Sequence, residues 1–406
     1  MFRFISYLAV VIVVFGTQLA TSSDKSQSQL QLVPYWQEKI AGLPYQSPGP
    51  FWSPDSRYVC FQALAQVSKP AQFTGDLLVV DVINKKIVWD SANHPKRQGI
   101  PGRKQVIDVK WTNRPDGLLW VESTGDVWSL NLASGHLQHL TSLNGLFETN
   151  SRIPYLWKHS ACISRYSTHL YYFRVEKGNS YSLRRLDYSD VTKDEELWSS
   201  WRSRYQYSAP DSGMVISMIT QLPDNKLLFI LQEDTKDFPR SIVHVLNLEK
   251  TSEIDITPVP APGVFILHEA SLLDESATLL LTGLANERKA EQDPDYVAVY
   301  TYNLVSKQLT LKIKDQGSVL VNWRILHPER LLMALVSREE KKGDQLDWKH
   351  SLAVYSKDLT KLVHELPLVD WAPYDYSISP CGNYIAQACI NKNYGLVIQR
   401  IVRLKK

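Results

Sequence analysis

The sequence predicts an all-β chain folded as a single seven-bladed β-propeller of four-stranded blades, preceded by an N-terminal signal sequence. Two observations carry the propeller. A turn-plus-apolar-strand unit recurs seven times at a spacing of about 54 residues, inside the range that marks arrays and propellers. A second pair of strand-like runs follows most of these units at a similar offset. A third observation, the character of the first twenty residues, carries the signal sequence.

The repeat opens with Trp52-Ser-Pro-Asp55 ahead of Tyr58–Phe61, and with Trp111-Thr-Asn-Arg-Pro-Asp-Gly117 ahead of Leu118–Val121. It continues with turns before Leu170–Phe173, Leu227–Ile230, Leu279–Leu281 and Leu331–Ala334. It ends with Ile378-Ser-Pro-Cys-Gly-Asn383 before Tyr384–Ala386. Pro presets φ, Asp bonds its own backbone, and Gly or Asn takes positive φ at little cost, so each unit reads as a hairpin. The outer strand pairs are read from Asp76–Val82 with Lys86–Trp89, Gly125–Leu132 with His136–Thr141, and Ser241–Leu248 with Glu253–Ile256. Tyr296–Tyr302 with Gln308–Leu311 and Ser351–Tyr355 with Lys361–His364 follow the same plan. Four strands per unit, repeated around an axis, make a propeller. The one helical signal is a turn between Asp194 and Trp201.

The last unit runs out after Tyr394–Ile401 with no fourth strand, while Gln29–Tyr35 is β-like and unassigned. Residues 23–48 are therefore expected to close the last blade, with the propeller spanning 49–406. Residues 1–22 are expected to be a signal peptide: Arg3 gives a positive start, Phe4–Phe15 is almost wholly apolar, and small residues around Ala20–Ser22 suit cleavage. The alternative is an uncleaved anchor at residues 4–20, although a bilayer span needs about 20 apolar residues. The expected location is periplasmic or secreted.

Apolar residues make up 44% and charged residues 21%, with a net charge of +3. No basic block follows a phosphate backbone, which argues against nucleic acid as a partner. Cys60, Cys162, Cys381 and Cys389 have irregular spacing and no Cys-x-x-Cys, so no metal site is expected. Cys60 and Cys389 fall inside apolar runs and read as buried thiols.

Trp52-Ser-Pro-Asp55, Arg114-Pro-Asp-Gly117, Ser379-Pro-Cys-Gly382 and the Gly125–Leu132 strand with its Leu140-Thr141 ending resemble the WD40-like "PD40" repeat of TolB-type periplasmic proteins. The same blade occurs in the propellers of prolyl-oligopeptidase-like peptidases. The resemblance implies a propeller and an envelope location. A peptidase would also need a Gly-x-Ser-x-Gly elbow, and the sequence has none.

The functional expectation is a non-enzymatic binding protein that contacts a protein or glycan of the cell envelope through one propeller face, with no cofactor and no catalytic residue. The binding candidates are Trp198, Trp201, Arg202, Arg204 and Tyr205, an aromatic and basic cluster read as a loop. The competing role for such aromatics is packing between blades. The other class is a channel-centred, metal-dependent lyase, hydrolase or cyclase. Its candidates lie on the innermost strands: Asp108, Lys110, His159, His268, Arg324 and Asp375. His268 and Glu269 are adjacent, so they face opposite sides of a regular strand unless a bulge intervenes.

Overall fold

The computed structural model describes residues 29–39, 43–44, 50–66, 73–91, 106–122, 126–141, 161–164, 167–175, 181–199, 215–222, 225–234, 239–249, 264–273, 278–286, 296–315, 318–326, 331–342, 345–368, 376–389 and 395–404. Strand β1 (Gln29–Lys39) comes first in the chain and belongs to the last blade. Blade 1 holds β2 (Leu43–Pro44), β3 (Phe51–Trp52), β4 (Tyr58–Gln66), β5 (Phe73–Asp81) and β6 (Lys86–Asp90), with β2 and β3 both pairing β4. Blade 2 holds β7 (Val106–Trp111), β8 (Gly117–Glu122), β9 (Val127–Asn131) and β10 (His136–Thr141). Blade 3 holds β11 (Ala161–Ile163), β12 (His169–Val175), β13 (Tyr181–Asp187) and β14 (Asp194–Ser199).

Blade 4 shows β15 (Val215–Leu222), β16 (Lys226–Asp234) and β17 (Pro239–Asn247); its expected fourth strand, Glu253–Ile256, lies outside the described residues. Blade 5 holds β18 (Val264–Leu273), β19 (Thr278–Asn286), β20 (Tyr296–Asn303) and β21 (Leu309–Asp315). Blade 6 holds β22 (Ser318–Leu326), β23 (Leu331–Lys342), β24 (Gln345–Tyr355) and β25 (Leu362–Leu368). Blade 7 holds β26 (Tyr376–Ile378), β27 (Tyr384–Cys389) and β28 (Gly395–Leu404), and β1 pairs antiparallel with β28 to supply its outer strand.

The core lies between blades. Among the described residues, buried apolar side chains gather into seven clusters, and each cluster joins two neighbouring blades. Strand period explains this. On β4, Val59 and Phe61 pack toward blade 7 while Cys60 packs toward blade 2. A strand buried on both sides needs apolar residues at every position, which is why the strands read as unbroken runs. Cys60 and Cys162 are buried free thiols and Cys381 is a half-buried free thiol. Burial pushes the Cys60 pKa far above the ordinary thiol range.

The Pro-containing turns are built from serines. In blade 1 the Ser53 backbone bonds Tyr58 at 2.8 Å, Ser53 Oγ accepts the Tyr58 N–H at 2.8 Å, and Ser56 takes φ 62°. Ser379, Tyr384 and Gly382 repeat this in blade 7, with Gly382 at φ 70°. The outer turns are built differently. Asp81, Asn131, Asp187, Asn247 and Asn303 each end the third strand of a blade and accept a backbone N–H from two or three residues on, at 2.8 to 2.9 Å.

Five outer strands carry one extra residue opposite the third strand: Val88, Leu140, Leu197, Lys312 and Val363. The helical turn expected at Asp194–Trp201 is instead strand β14, whose residues 197–199 are buried. Its bonding explains the difference. Arg184 reaches Asp194 at 2.9 Å and Arg185 reaches Glu195 at 2.5 Å, both across the β13–β14 pair.

The Asp81 carboxylate is 2% exposed. Burial alone pushes it up, but hydrogen bonds from the Asn84 backbone and side chain and from Arg57 outweigh that and hold it below the ordinary range. Asp187 is brought to about 2 by the Ser189 and Thr168 hydroxyls. A depressed folded-state pKa stabilises above the unfolded value, roughly 3.9 for Asp, and the contribution is lost as pH falls through the folded value. Thermal midpoints measured by scanning calorimetry should therefore fall as the pH is lowered from about 4 to about 2. Asp81→Asn should flatten part of that fall, and an unchanged slope would mean that Asp81 does not contribute.

Candidate functional site

Antiparallel meanders put alternate connections at opposite ends of a blade. The serine turns and the Asx turns therefore share one face of the ring, and the other connections leave from the opposite face. The turn-face connections are tight: Val82–Lys85 and Leu132–Gly135 each span four residues. On the opposite face the connections vary: 15 residues after β6 (91–105), 19 after β10 (142–160) and 15 after β14 (200–214), but seven after β25 (369–375) and two after β21 (316–317).

The innermost strands of successive blades touch in ring order across most of the circle. On β7, Asp108 and Lys110 are two residues apart and share a side, and Lys110 Nζ sits 3.1 Å from Asp108 Oδ1. The other oxygen, Oδ2, accepts the backbone N–H of Ile163 from blade 3 at 2.9 Å. That donor needs a partner. Ser164 N–H already bonds His169 O within the β11–β12 pair, so the Ile163 N–H one residue earlier points away from β12. Asp108 is 8% exposed, and both of its oxygens are engaged inside the fold. The arrangement pins blade 2 to blade 3.

The inner strands are not regular. β18 pairs Leu267 with Gly283 and Glu269 with Thr282, leaving His268 as an extra residue. The strict alternation between His268 and Glu269 is broken there by the backbone. Ile107 on β7, Ser217 on β15 and Asn322–Trp323 on β22 mark similar irregularities. Arg324 lies on β22 opposite Met333. His159 and Asp375 lie outside the described residues. Among the described residues, no three His, Cys, Asp or Glu side chains gather where they could hold one metal ion.

Trp198 corrects one expectation. It belongs to strand β14, not to a loop, and it is 3% exposed. Its ring packs at 5.3 Å from Phe229, 5.7 Å from His244 and edge-on at 6.4 Å to Phe173. It fills the junction of blades 3 and 4 and cannot meet a partner there. Trp201, Arg202, Arg204 and Tyr205 lie outside the described residues.

The Trp residues ahead of the serine turns have a role that periodicity alone did not reveal. Trp52 Nε1 donates to Ser377 O of blade 7 at 3.0 Å, and Trp111 Nε1 donates to Phe51 O of blade 1 at 2.9 Å. These are the same contact, one blade apart. Trp323 Nε1 ties blade 6 to Thr282 of blade 5 at 2.8 Å. A further missed signal was Asp or Asn followed by an apolar residue at the end of five third strands, as in Asp81-Val82 and Asn131-Leu132.

No protein-family model matches the sequence, and no curated protein matches it. Solved structures do match in fold. A chain of the Mitotic Checkpoint Complex gives a TM-score of 0.56 at 12% identity, over 97% of this chain and 98% of that one. The RRP9 WD40 repeats give 0.51 at 10% identity, over 92% and 98%. An oligogalacturonate lyase from Vibrio parahaemolyticus gives 0.57 at 8% identity, over 92% and 98%. The fold is a WD40-like, seven-bladed propeller. At these identities the likeness establishes the fold and nothing finer, because one propeller serves both scaffolds and enzymes.

Proposed function

We propose that this chain is an exported, non-enzymatic scaffold that binds a protein or glycan of the cell envelope through the face opposite the tight turns. The asymmetry of the two faces carries the reading. The turn-face connections are short, whereas three connections on the other face run to 15 to 19 residues and supply enough chain for a contact surface. Propeller chains inside assemblies such as the Mitotic Checkpoint Complex support a protein partner. The charged start and apolar run of residues 1–22 support export to the periplasm or beyond, and residues 4–20 would tether the ring to a membrane if left uncleaved. The PD40-like turns support kinship with TolB-type propellers.

The test uses residues 23–406 as bait in envelope extract under mild crosslinking. The expected result is one dominant partner, lost when Trp201, Arg202, Arg204 and Tyr205 are replaced together by Ala. It should be kept when Val305→Asp alters the turn face. Loss in the turn-face variant and retention in the loop variant would overturn the choice of face. A second reading, a channel-centred enzyme, is favoured by the backbone irregularity at His268. It predicts a stoichiometric ion or a turned-over small molecule in purified protein, lost in His268→Ala.

A further inference from the structure

We propose that the ring-closure seam carries a binding site for a tetrahedral oxyanion, a phosphate or sulfate group, on the turn face between blades 7 and 1. In five other blades the residue opposite the start of the second strand ends the third strand as Asp or Asn and caps the outer turn. Blade 7 has no such turn, because its outer strand arrives from the start of the chain. The corresponding residue is Arg400, the partner of Tyr384 as Asp81 is of Tyr58. The position is freed from capping, and it carries an exposed cation where the other blades carry a turn-bonding group.

Tyr384 stands opposite Arg400 across the β27–β28 pair, and Tyr35 and Lys85 lie along the same seam. Tyr35 is the extra residue where β1 shifts register between Pro34 and Trp36. Its ring lies 5.2 Å from that of Tyr384. Lys85 Nζ stands 4.2 Å from the centre of the Tyr35 ring. Lys85 is held in a left-handed conformation, φ 54°, by the turn that Asp81 and Asn84 bond together. Burial, the neighbouring Tyr35 and the hydrogen bond between the two side chains push the Tyr384 phenol up, so the pair stays protonated at neutral pH.

The local acids are already taken. Asp81 is 2% exposed and held by Arg57 and Asn84, and Asp55 accepts Ser53 Oγ at 2.6 Å and the Arg57 N–H at 3.1 Å. Glu38 lies three residues further along β1. Among the described residues neither Lys85 nor Arg400 has a carboxylate partner, whereas Arg57 and Lys193 on the same face do. Tyr35 and Tyr384 hydrogen-bond each other, which leaves one phenol O–H; with a point charge and a guanidinium fork it supplies donors for three corners of a tetrahedral oxyanion.

The test is titration calorimetry of the full chain at low ionic strength, with inorganic pyrophosphate as one probe and a sulfated heparin disaccharide as the other. Binding of either supports the site, and the stronger probe identifies the source. Lys85→Ala with Arg400→Ala should weaken binding by about tenfold or more. Tyr35→Phe with Tyr384→Phe should weaken it by about threefold, while the rings stay packed and hold the loss in thermal midpoint to a few degrees. Lys357→Ala with Lys361→Ala, which removes two exposed lysines elsewhere on the same face, should stay within about twofold. No binding of either probe would overturn the proposal. Equal weakening in the Lys357/Lys361 variant would also overturn it, since it would reveal general charge attraction. The site lies on the face opposite the proposed partner surface, so the two can fail independently.

Discussion

Deleting residues 29–39 should leave a chain that does not reach the native state. Strand β1 contributes Leu30, 3% exposed, to the junction of blades 6 and 7, and Tyr35 and Trp36 to the junction of blades 7 and 1. Full burial of a large apolar side chain contributes roughly 1.5–3 kcal/mol, so buried Leu30 with the half-buried Leu32, Tyr35 and Trp36 amounts to about 4–8 kcal/mol. That is a large part of the net stability of an ordinary domain, about 5–15 kcal/mol. The backbone adds to the loss, because β1 and β28 are paired from Gln29–Leu404 to Lys39–Gly395. The expected result is loss of a cooperative thermal transition by circular dichroism, together with aggregation on gel filtration. A synthetic peptide of residues 29–39 should restore the transition in trans. A deletion variant that melts within a few degrees of the full chain would show that the ring does not need this strand.

Trp111→Ala is the second large effect. Trp111 is 2% exposed, stacks on Tyr58 at 6.1 Å, and bonds Phe51 O. Removing a buried indole costs about 3–5 kcal/mol, mostly as a cavity. Trp111→Phe keeps an aromatic ring and loses the hydrogen bond, so it should cost about 1–2 kcal/mol. Urea denaturation separates the two. If both variants cost the same, the hydrogen bond dominates and the packing account is wrong.

Much of the fold was legible because a blade is a local object. Turn chemistry at Ser53–Ser56 and at Ser379–Gly382, and apolar runs such as Leu77–Val80, are short-range signals. Gln29–Tyr35 could be assigned to the last blade because that blade lacked a strand. Failures came where contacts are long-range. Nothing in the sequence around Trp198 separates a buried indole from a loop anchor; the difference is set by Phe229 and His244 in the next blade. The indole of Trp52 serves a carbonyl 325 residues away. The irregularities at His268 and Tyr35 also left no mark, since one added residue in a strand changes geometry but not composition.

The closing strand has a consequence in time. Gln29 sits opposite Leu404, so the first strand made must wait for the last. At a synthesis rate of roughly 5–20 residues per second, that wait lasts about 20–75 s. Through that interval the finished blades form an open arc with an orphan strand at its start. The same pairing that fixes the finished molecule thus delays its completion until the whole chain has been made.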